Sequence, residues 1–372
     1  MAARKERTVR DRALPTRAAV LRRRGGPLAI ETLEMEGPRD DEVLVRIVAS
    51  GICHTDIRYV DDWYDESEGP LVLGHEGAGV VEKAGAKVAG LRRGDHVVLS
   101  YQSCGRCGAC RRARPFECRD SSMLNWGFQR PDGSNALERS GVKGHFFGQS
   151  SFASRTLATV RNAVKVPKAL PLETLAPLGC GLQTGAGTVM NSLNIPAGAG
   201  IAVFGTGAVG LAAVMAARVV GASPIIGIDI VPGRLELARE LGATHTIDSR
   251  NEDVAARVKA IAGGGVDYTL ETTDNDRMYG LSLELLNPKG TAALVTGASG
   301  PSRMPGGRKA LCIVEGDAVP QQFLPKLIAL WRKGLFPFER LVKFYDFEDV
   351  NRAIADARRG ATIKPVLRIS RV

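Results

Sequence analysis

The chain lacks any apolar run approaching the ~20 residues that a membrane-spanning helix needs, so no membrane passage is expected. It lacks the apolar segment that follows the basic start of a secretory signal. The N-terminal residues are not enriched in serine and include Glu6 and Asp11, which argues against a transit peptide. Internal repeats and low-complexity tracts are also missing, which sets aside repeat architectures. A charge excess is missing from most of the chain. Residues 1–24 carry nine Arg and Lys (Arg4, Lys5, Arg7, Arg10, Arg12, Arg17, Arg22, Arg23, Arg24) against two acidic groups, whereas the other 348 residues carry 41 basic and 38 acidic groups. The overall +10 therefore belongs mainly to a leader, and a nucleic-acid footprint over the body is not expected.

What remains is a globular composition, 44% hydrophobic and 24% charged. A length of 372 residues exceeds one ordinary core, so two domains are expected. Seven cysteines without a signal segment point to a reducing, cytoplasmic setting. Residues 1–17 read as a basic, flexible arm.

Two patterns follow the arm. From 18 to 184 short strands alternate with Gly and Pro turns, as at Val43–Val48, Gly79–Glu82 and His96–Leu99, an antiparallel signature. Residues 119–150 carry few apolar runs and read as a long functional loop rather than a core element. From 185 to 319 continuous apolar strands (Ile201–Phe204, Ile225–Ile228, Thr291–Val295) alternate with helices, which implies a parallel sheet covered on both faces. A helix over Phe323–Lys333 and a strand over Pro365–Ile369 return to the first domain (18–184 and 320–372), making the parallel-sheet domain an insertion. The fold class is α/β: a β-rich domain plus a doubly wound parallel-sheet nucleotide domain.

Cys104, Cys107, Cys110 and Cys118 form a C-x2-C-x2-C-x7-C run, a spacing that lets four thiolates meet one tetrahedral zinc. A closed four-thiolate shell is structural, because catalytic zinc keeps one position open.

Gly205-Thr206-Gly207-Ala208-Val209-Gly210 is a G-x-G-x-x-G between an apolar strand and a helix, the context that makes the motif a dinucleotide seat. Asp229 ends the next strand, where a carboxylate accepts ribose hydroxyls and repels a 2′-phosphate. Ile230 follows it, with no adjacent arginine. NAD is expected over NADP.

Cys53, His75 and Cys180 each sit in a Gly-flanked turn. Together they would make a three-ligand zinc shell with one open position. Their distance in sequence equally allows two buried thiols and a core histidine.

Cys53-His54-Thr55-Asp56, the Gly74–Gly79 run, Gly94-Asp95-His96-Val97, the cysteine cluster and the nucleotide fingerprint resemble, in order, the zinc-dependent medium-chain alcohol dehydrogenases. Phe146–Phe152, Pro177–Gly187, Val314–Asp317 and Ile363–Leu367 narrow the resemblance to the aryl (benzyl) alcohol branch, whose relatives accept terpenoid allylic alcohols such as geraniol. The resemblance implies a GroES-like catalytic domain, a Rossmann domain, two zinc ions per subunit and a homo-oligomer, a dimer or a tetramer. It implies catalytic zinc on Cys53, His75 and Cys180, with Glu76 beside the metal, Asp56 orienting His75, and Thr55 starting the proton exit. Thr184 would pack near the nicotinamide and Lys364 would contact the pyrophosphate. Arg234 joins the cofactor set. Phe146, Phe147, Trp63, Tyr64 and Tyr101 are expected to line the pocket, with Ser100 at its floor and residues 119–139 as a lid.

One departure stands out: Arg58 occupies the position of a relay histidine and cannot pass a proton as imidazole does. The proton would leave through Thr55, the nicotinamide ribose and water. His54 reads equally as a cofactor contact or a structural residue, and Cys312 has no role. The expected reaction converts a primary aromatic or allylic alcohol to the aldehyde. Two alternatives are a thiol-adduct (formaldehyde-type) dehydrogenase and a zinc-bearing nucleic-acid-binding protein.

Overall fold

The computed structural model describes residues 13–65, 69–295 and 304–371. The described residues open with β1 (Leu14–Leu21) and β2 (Ala29–Met35), which pair antiparallel, and β3 (Glu42–Gly51) follows. A short α1 (His54–Arg58) leads to β4 (Leu71–Val72), β5 (Glu76–Ala84) and β6 (His96–Leu99). Next come α2 (Gly108–Arg111), α3 (Ser121–Trp126), β7 (Arg155–Thr159), β8 (Ala163–Val166) and α4 (Leu172–Leu175). The strands are rich in Val, Ile and Leu, and β3 buries nine of its ten residues because neighbours cover both of its faces.

The second part opens with α5 (Gly181–Gly187). It continues as β9 (Ile201–Phe204), α6 (Ala208–Val220), β10 (Ile225–Asp229), α7 (Pro232–Leu241), β11 (His245–Asp248), α8 (Val254–Ala262), β12 (Val266–Glu271), α9 (Asp276–Glu284), β13 (Leu286–Leu294), β14 (Lys309–Cys312) and α10 (Pro320–Arg332). The chain ends with β15 (Val342–Asp346), α11 (Val350–Arg358) and β16 (Lys364–Arg368). No helix of the described residues is long and apolar enough to cross a membrane.

The six strands β11-β10-β9-β12-β13-β14 pair in parallel throughout, and their order reverses direction at β9, as in a doubly wound nucleotide fold. The other unit carries a seven-stranded sheet, β15-β16-β3-β5-β6-β8 with β7 also on β3, and the smaller sheet β2-β1-β4. The α/β class with a β-rich unit and a parallel-sheet unit is therefore as expected.

Several boundaries differ. The two units are 1–180 with 342–372, and 181–341. The expected division at 184/185 and 319/320 cuts through α5 and leaves α10 with the β-rich unit, whereas both helices belong to the parallel-sheet unit; α5 packs on α6. The expected arm, 1–17, is a strand from Leu14 onward. Arg17 reaches Glu348 at 2.6 Å and Arg22 reaches Glu31 at 2.7 Å, so those charges are paired. Arg4, Lys5, Arg7, Arg10 and Arg12 lie outside the described residues.

The stretch 119–150 is not a loop outside the core. Leu124 packs against the cysteine cluster, and Phe128, Ala136, Leu137, Val142, Phe146 and Phe147 are buried in the first unit's main core. It is anchored by Arg130, 3% exposed, whose guanidinium meets Glu42 at 2.6 Å and Glu36 at 2.9 Å. A buried pair of this kind ties the segment expected as a lid, 119–139, to the start of β3.

Candidate active site and metal centres

Cys53 follows β3 and caps α1. His75 and Glu76 stand at the entry to β5, and Cys180 ends the turn after α4. These four residues come from distant parts of the sequence, yet their ligand atoms all lie within 4.8 Å of one another. Asp56 organises the group. It is 1% exposed and accepts from the Cys53 backbone N–H (2.9 Å), the Gly74 N–H (3.1 Å) and His75 Nδ1 (2.9 Å). One carboxylate thus fixes two of the three expected ligands and the histidine tautomer. His75 Nε2 is buried with no hydrogen-bond partner among the described residues. An orphaned imidazole nitrogen beside two thiols suits zinc, a borderline-soft ion.

Charge in the group is tightly coupled. Cys53 falls well below a normal thiol, through its hydrogen bond with Cys180 first and against burial. Burial is the largest single influence and opposes charge on His75, but Asp56 and then Cys53 together outweigh it and raise the histidine. A metal would take the place of that proton.

Burial pushes the Glu76 carboxyl up, and Lys364 opposes this. Lys364 Nζ lies 2.9 and 3.0 Å from the two Glu76 oxygens, and neither side chain is more than 2% exposed. The resemblance implied a pyrophosphate contact for Lys364; in the structure its ammonium is held by Glu76. Antiparallel pairing of β16 with β3 buries its ammonium inside the first unit, where its charge is matched by Glu76 and the Ile52 carbonyl.

The sulfurs of Cys104, Cys107, Cys110 and Cys118 also lie within 4.8 Å of one another. Backbone N–H groups of Cys104 and Cys107 point at the sulfurs of Cys118 and Cys104, each at 3.3 Å, an arrangement that stabilises thiolates. The Cys107 thiol drops to about 6, through backbone N–H groups of Cys110 and then Arg119. Burial pushes the Cys118 thiol up to about 12. Crowded thiols with such unequal proton affinities are relieved when one cation takes all four.

In the parallel-sheet unit, Gly205 turns the chain after β9 at φ +90°. A Cβ on Gly210 would lie 1.8 Å from the Gly205 carbonyl oxygen, so only glycine lets α6 start this close to the turn. A Cβ on Gly207 would meet nothing within 4 Å, leaving open space over the helix start for a pyrophosphate. Asp229 accepts from Thr206 N–H (2.7 Å) and Oγ1 (2.9 Å), and from the N–H groups of Ile230 (2.7 Å) and Val231 (2.9 Å). It therefore clamps the glycine loop to β10, a role the sequence reading missed. Arg234 Nε is buried without a partner among the described residues, a donor set at the start of α7.

Residues 39–168 match the alcohol dehydrogenase GroES-like domain, and residues 208–315 match the zinc-binding dehydrogenase family. A geraniol dehydrogenase from Castellaniella defragrans is 44% identical over 366 residues, covering 95% of this chain and 98% of the relative. The chain belongs to the zinc-dependent medium-chain alcohol dehydrogenase family. A crystal structure of an alcohol dehydrogenase zinc-binding domain protein from Burkholderia ambifaria is 49% identical, with a TM-score of 0.92 over 97% of this chain and all of the other. The benzyl alcohol dehydrogenase of Acinetobacter calcoaceticus is 42% identical, also with a TM-score of 0.92, over 96% of this chain and all of the other.

The expected pocket residues of the dehydrogenase divide into two groups. Phe147 stacks on the His75 ring at 4.5 Å, and Phe146 meets the same ring edge-on at 5.5 Å. Trp63 is 43% exposed and touches Trp126. Tyr64 and Tyr101 are buried, 1% and 3% exposed, in the same core cluster as Phe146 and Phe147, with Tyr64 Oη donating to the Gly69 carbonyl. Ser100 is also fully buried. Its hydroxyl donates to the Gly179 carbonyl at 2.7 Å, so it braces the turn that carries Cys180 rather than widening a floor.

Gln149 is a further brace. It accepts from Gly77 N–H and donates to the carbonyls of His75 and Ser100. Thr55 Oγ1 lies 3.8 Å from Cys53 Sγ, and His54 is exposed. Thr184 is buried in α5, and Cys312 is exposed on β14. Trp126, at the end of α3, was missed. Its signal is a tryptophan in a Ser- and Gly-rich stretch soon after the last clustered cysteine.

Proposed function

We propose that this dehydrogenase oxidises a primary aromatic or allylic alcohol to the aldehyde, reversibly, with NAD as the hydride acceptor. The observation that carries the reading is the Cys53, His75 and Cys180 group, with its orphaned His75 Nε2, lying directly against the Phe147 ring. Support also comes from the relatives, whose names specify geraniol and benzyl alcohol.

Cys53, His75 and Cys180 would hold one zinc, and Cys104, Cys107, Cys110 and Cys118 a second. A zinc at the first site supplies Lewis acidity that makes an alcohol acidic near neutrality, and NAD supplies the two-electron acceptor. The chain's own residues do the rest. Asp56 keeps His75 in the tautomer whose Nε2 is free to ligate. Phe146 and Phe147 exclude water and hold a flat apolar substrate by edge and stacking contacts. The hydroxyl of Thr55, beside Cys53, would take up the proton lost by the substrate hydroxyl, since Arg58 cannot act as a relay. Glu76, balanced by Lys364, adds negative charge beside the ligand set. Gly205, Gly207, Ala208, Val209 and Gly210 seat the pyrophosphate, Asp229 and Arg234 face the adenosine end, and Thr184 packs at the nicotinamide. The balance is alcohol plus NAD giving aldehyde, NADH and a proton. The enzyme would work in the cytoplasm as a homo-oligomer.

The test is steady-state specificity of the purified enzyme across benzyl alcohol, cinnamyl alcohol, geraniol and ethanol, with NAD and NADP, and zinc counted on the same sample. The reading expects the highest kcat/KM with an aromatic or allylic alcohol, a preference for NAD, and two zinc ions per chain. A preference for S-hydroxymethyl-glutathione or for NADP would refute it.

A further inference from the structure

Two tryptophans in the first unit are left half-exposed in an unusual place. Trp126 is 39% exposed and Trp63 is 43% exposed, although both carry large apolar rings. They pack edge-to-face on each other at 5.7 Å. Trp126 also meets Phe147 at 5.0 Å and Phe146 at 5.6 Å. A continuous aromatic path therefore runs from His75 through Phe147 and Trp126 to Trp63, in steps of 4.5, 5.0 and 5.7 Å.

The backbone is shaped to make the first step. Phe147 holds φ +52° and its neighbour His145 φ +67°, a left-handed conformation that bulky residues adopt only where the surroundings enforce it. The last step is held from outside: the Arg58 guanidinium sits 5.0 Å from the centre of the Trp63 ring, a cation–π contact, with Asp62 at 3.9 Å.

Phe146 and Phe147 suffice to flank the first ring or double bond of a substrate whose hydroxyl lies at the His75 group. Trp126 stands one ring contact further from His75 than Phe147, and Trp63 one further again. We infer that Trp126 and Trp63 form an outer apolar subsite that binds the distal part of a long, unsaturated alcohol, and that Arg58 is a positioning residue that holds Trp63. The inference rests on the proposed reaction and narrows it to alcohols with a flat apolar tail beyond the first unsaturated group. It also gives Arg58 a task that does not involve proton transfer.

The experiment compares geraniol with benzyl alcohol, using the zinc-loaded enzyme and its Trp126→Ala, Trp126→Phe, Trp63→Ala and Arg58→Met variants. Trp126→Ala should lower the geraniol-to-benzyl ratio of kcat/KM about tenfold, the scale set by losing apolar contact in a specificity pocket. The loss should appear in KM for geraniol, with kcat nearly constant. Trp126→Phe should recover most of the ratio and keeps the test valid if the alanine variant folds poorly. Trp63→Ala and Arg58→Met should move the ratio in the same direction by less. Geraniol added to the wild-type enzyme should also quench tryptophan emission, and Trp126→Phe should lose most of that quenching. Equal losses on both alcohols, an unmoved ratio, or absent quenching overturns the subsite alone when wild type turns over both alcohols. A wild type that turns over neither overturns the proposed reaction and the subsite with it.

Discussion

Replacing Asp56 with asparagine is the sharpest probe of the first metal site. The carboxylate accepts three hydrogen bonds: Cys53 N–H on one oxygen, and Gly74 N–H with His75 Nδ1 on the other. Asparagine keeps the shape but turns one oxygen into a donor. If the amide NH2 faces Cys53, that N–H loses its acceptor and α1 loses its cap. If it faces Gly74 and His75, Gly74 N–H is orphaned and His75 Nδ1 must become an acceptor. The imidazole proton then moves to Nε2, the nitrogen a metal needs. Either way a buried donor goes unpaired, at about 1–3 kcal/mol. Metal affinity at this site should fall roughly 10–100-fold, the usual effect of losing a partner that orients a ligand. Thermal unfolding and zinc retention against a graded chelator measure the two effects, with the four-cysteine site as the internal reference. The variant should release one zinc early and keep the other, with a Tm several degrees lower. Retention of both ions over the wild-type chelator range, with an unchanged Tm, would refute the role given to Asp56.

Three further perturbations address other parts of the molecule. Cys107→Ser should cost on the order of 4 kcal/mol, as loss of a metal site does, and remove one zinc per chain while NAD binding persists; unchanged melting and zinc content would contradict a structural site. Arg130→Leu strands the nearly buried Glu42 carboxylate and should cost about 3–5 kcal/mol. Adding Glu42→Leu should recover most of that loss in urea unfolding, and a double variant no better than the single would overturn the argument. Burial, helped by the cations Arg130 and Arg39 and opposed by Asp132, holds His145 down at about 3. The stability that the neutral ring contributes is present above its ordinary value near 6.5 and drains as pH falls toward 3, at up to about 1.4 kcal/mol per pH unit. His145→Asn keeps a residue that tolerates the left-handed backbone and should flatten that acid slope; parallel melting curves between pH 7 and 4 would show that His145 does not titrate as described.

The parallel-sheet unit was legible because its strands are buried on both faces. Ile201–Phe204 reads as an unbroken apolar run and is strand β9 residue for residue. The cysteine run was equally legible, since its ligands are local. Cys53, His75 and Cys180 were not: only folding brings them within 4.8 Å, and resemblance rather than spacing pointed to them. The stretch 119–150 was misread for a different physical reason. It has no 2.0 or 3.6 period because side chains hold its backbone. Asn135 accepts from Leu137 and Gly144 N–H and donates to the Phe128 carbonyl, and Asn125 bonds Gln102 at both its N–H and its carbonyl. Segments built on such side-chain clamps bury apolar residues at irregular intervals. The contact of Lys364 with Glu76 was not legible, because strand register sets it and only the pairing of β16 with β3 reveals that register.

The insertion of 181–341 has a consequence for biosynthesis. Every cysteine and histidine of both metal-ligand groups leaves the ribosome before the parallel-sheet unit does, but residues 342–372 follow that unit. Until then β3 is covered by β7 along Glu42–Arg46, while Ala49–Gly51 lacks its β16 neighbour and Glu76 lacks Lys364. A nascent chain halted before residue 342 would carry all the ligands yet present an open strand edge at Ala49–Gly51 to other chains. Completion of the first unit therefore waits on synthesis of β16, and loss of that strand should be more damaging in the cell than its distance in sequence from Cys53 would indicate.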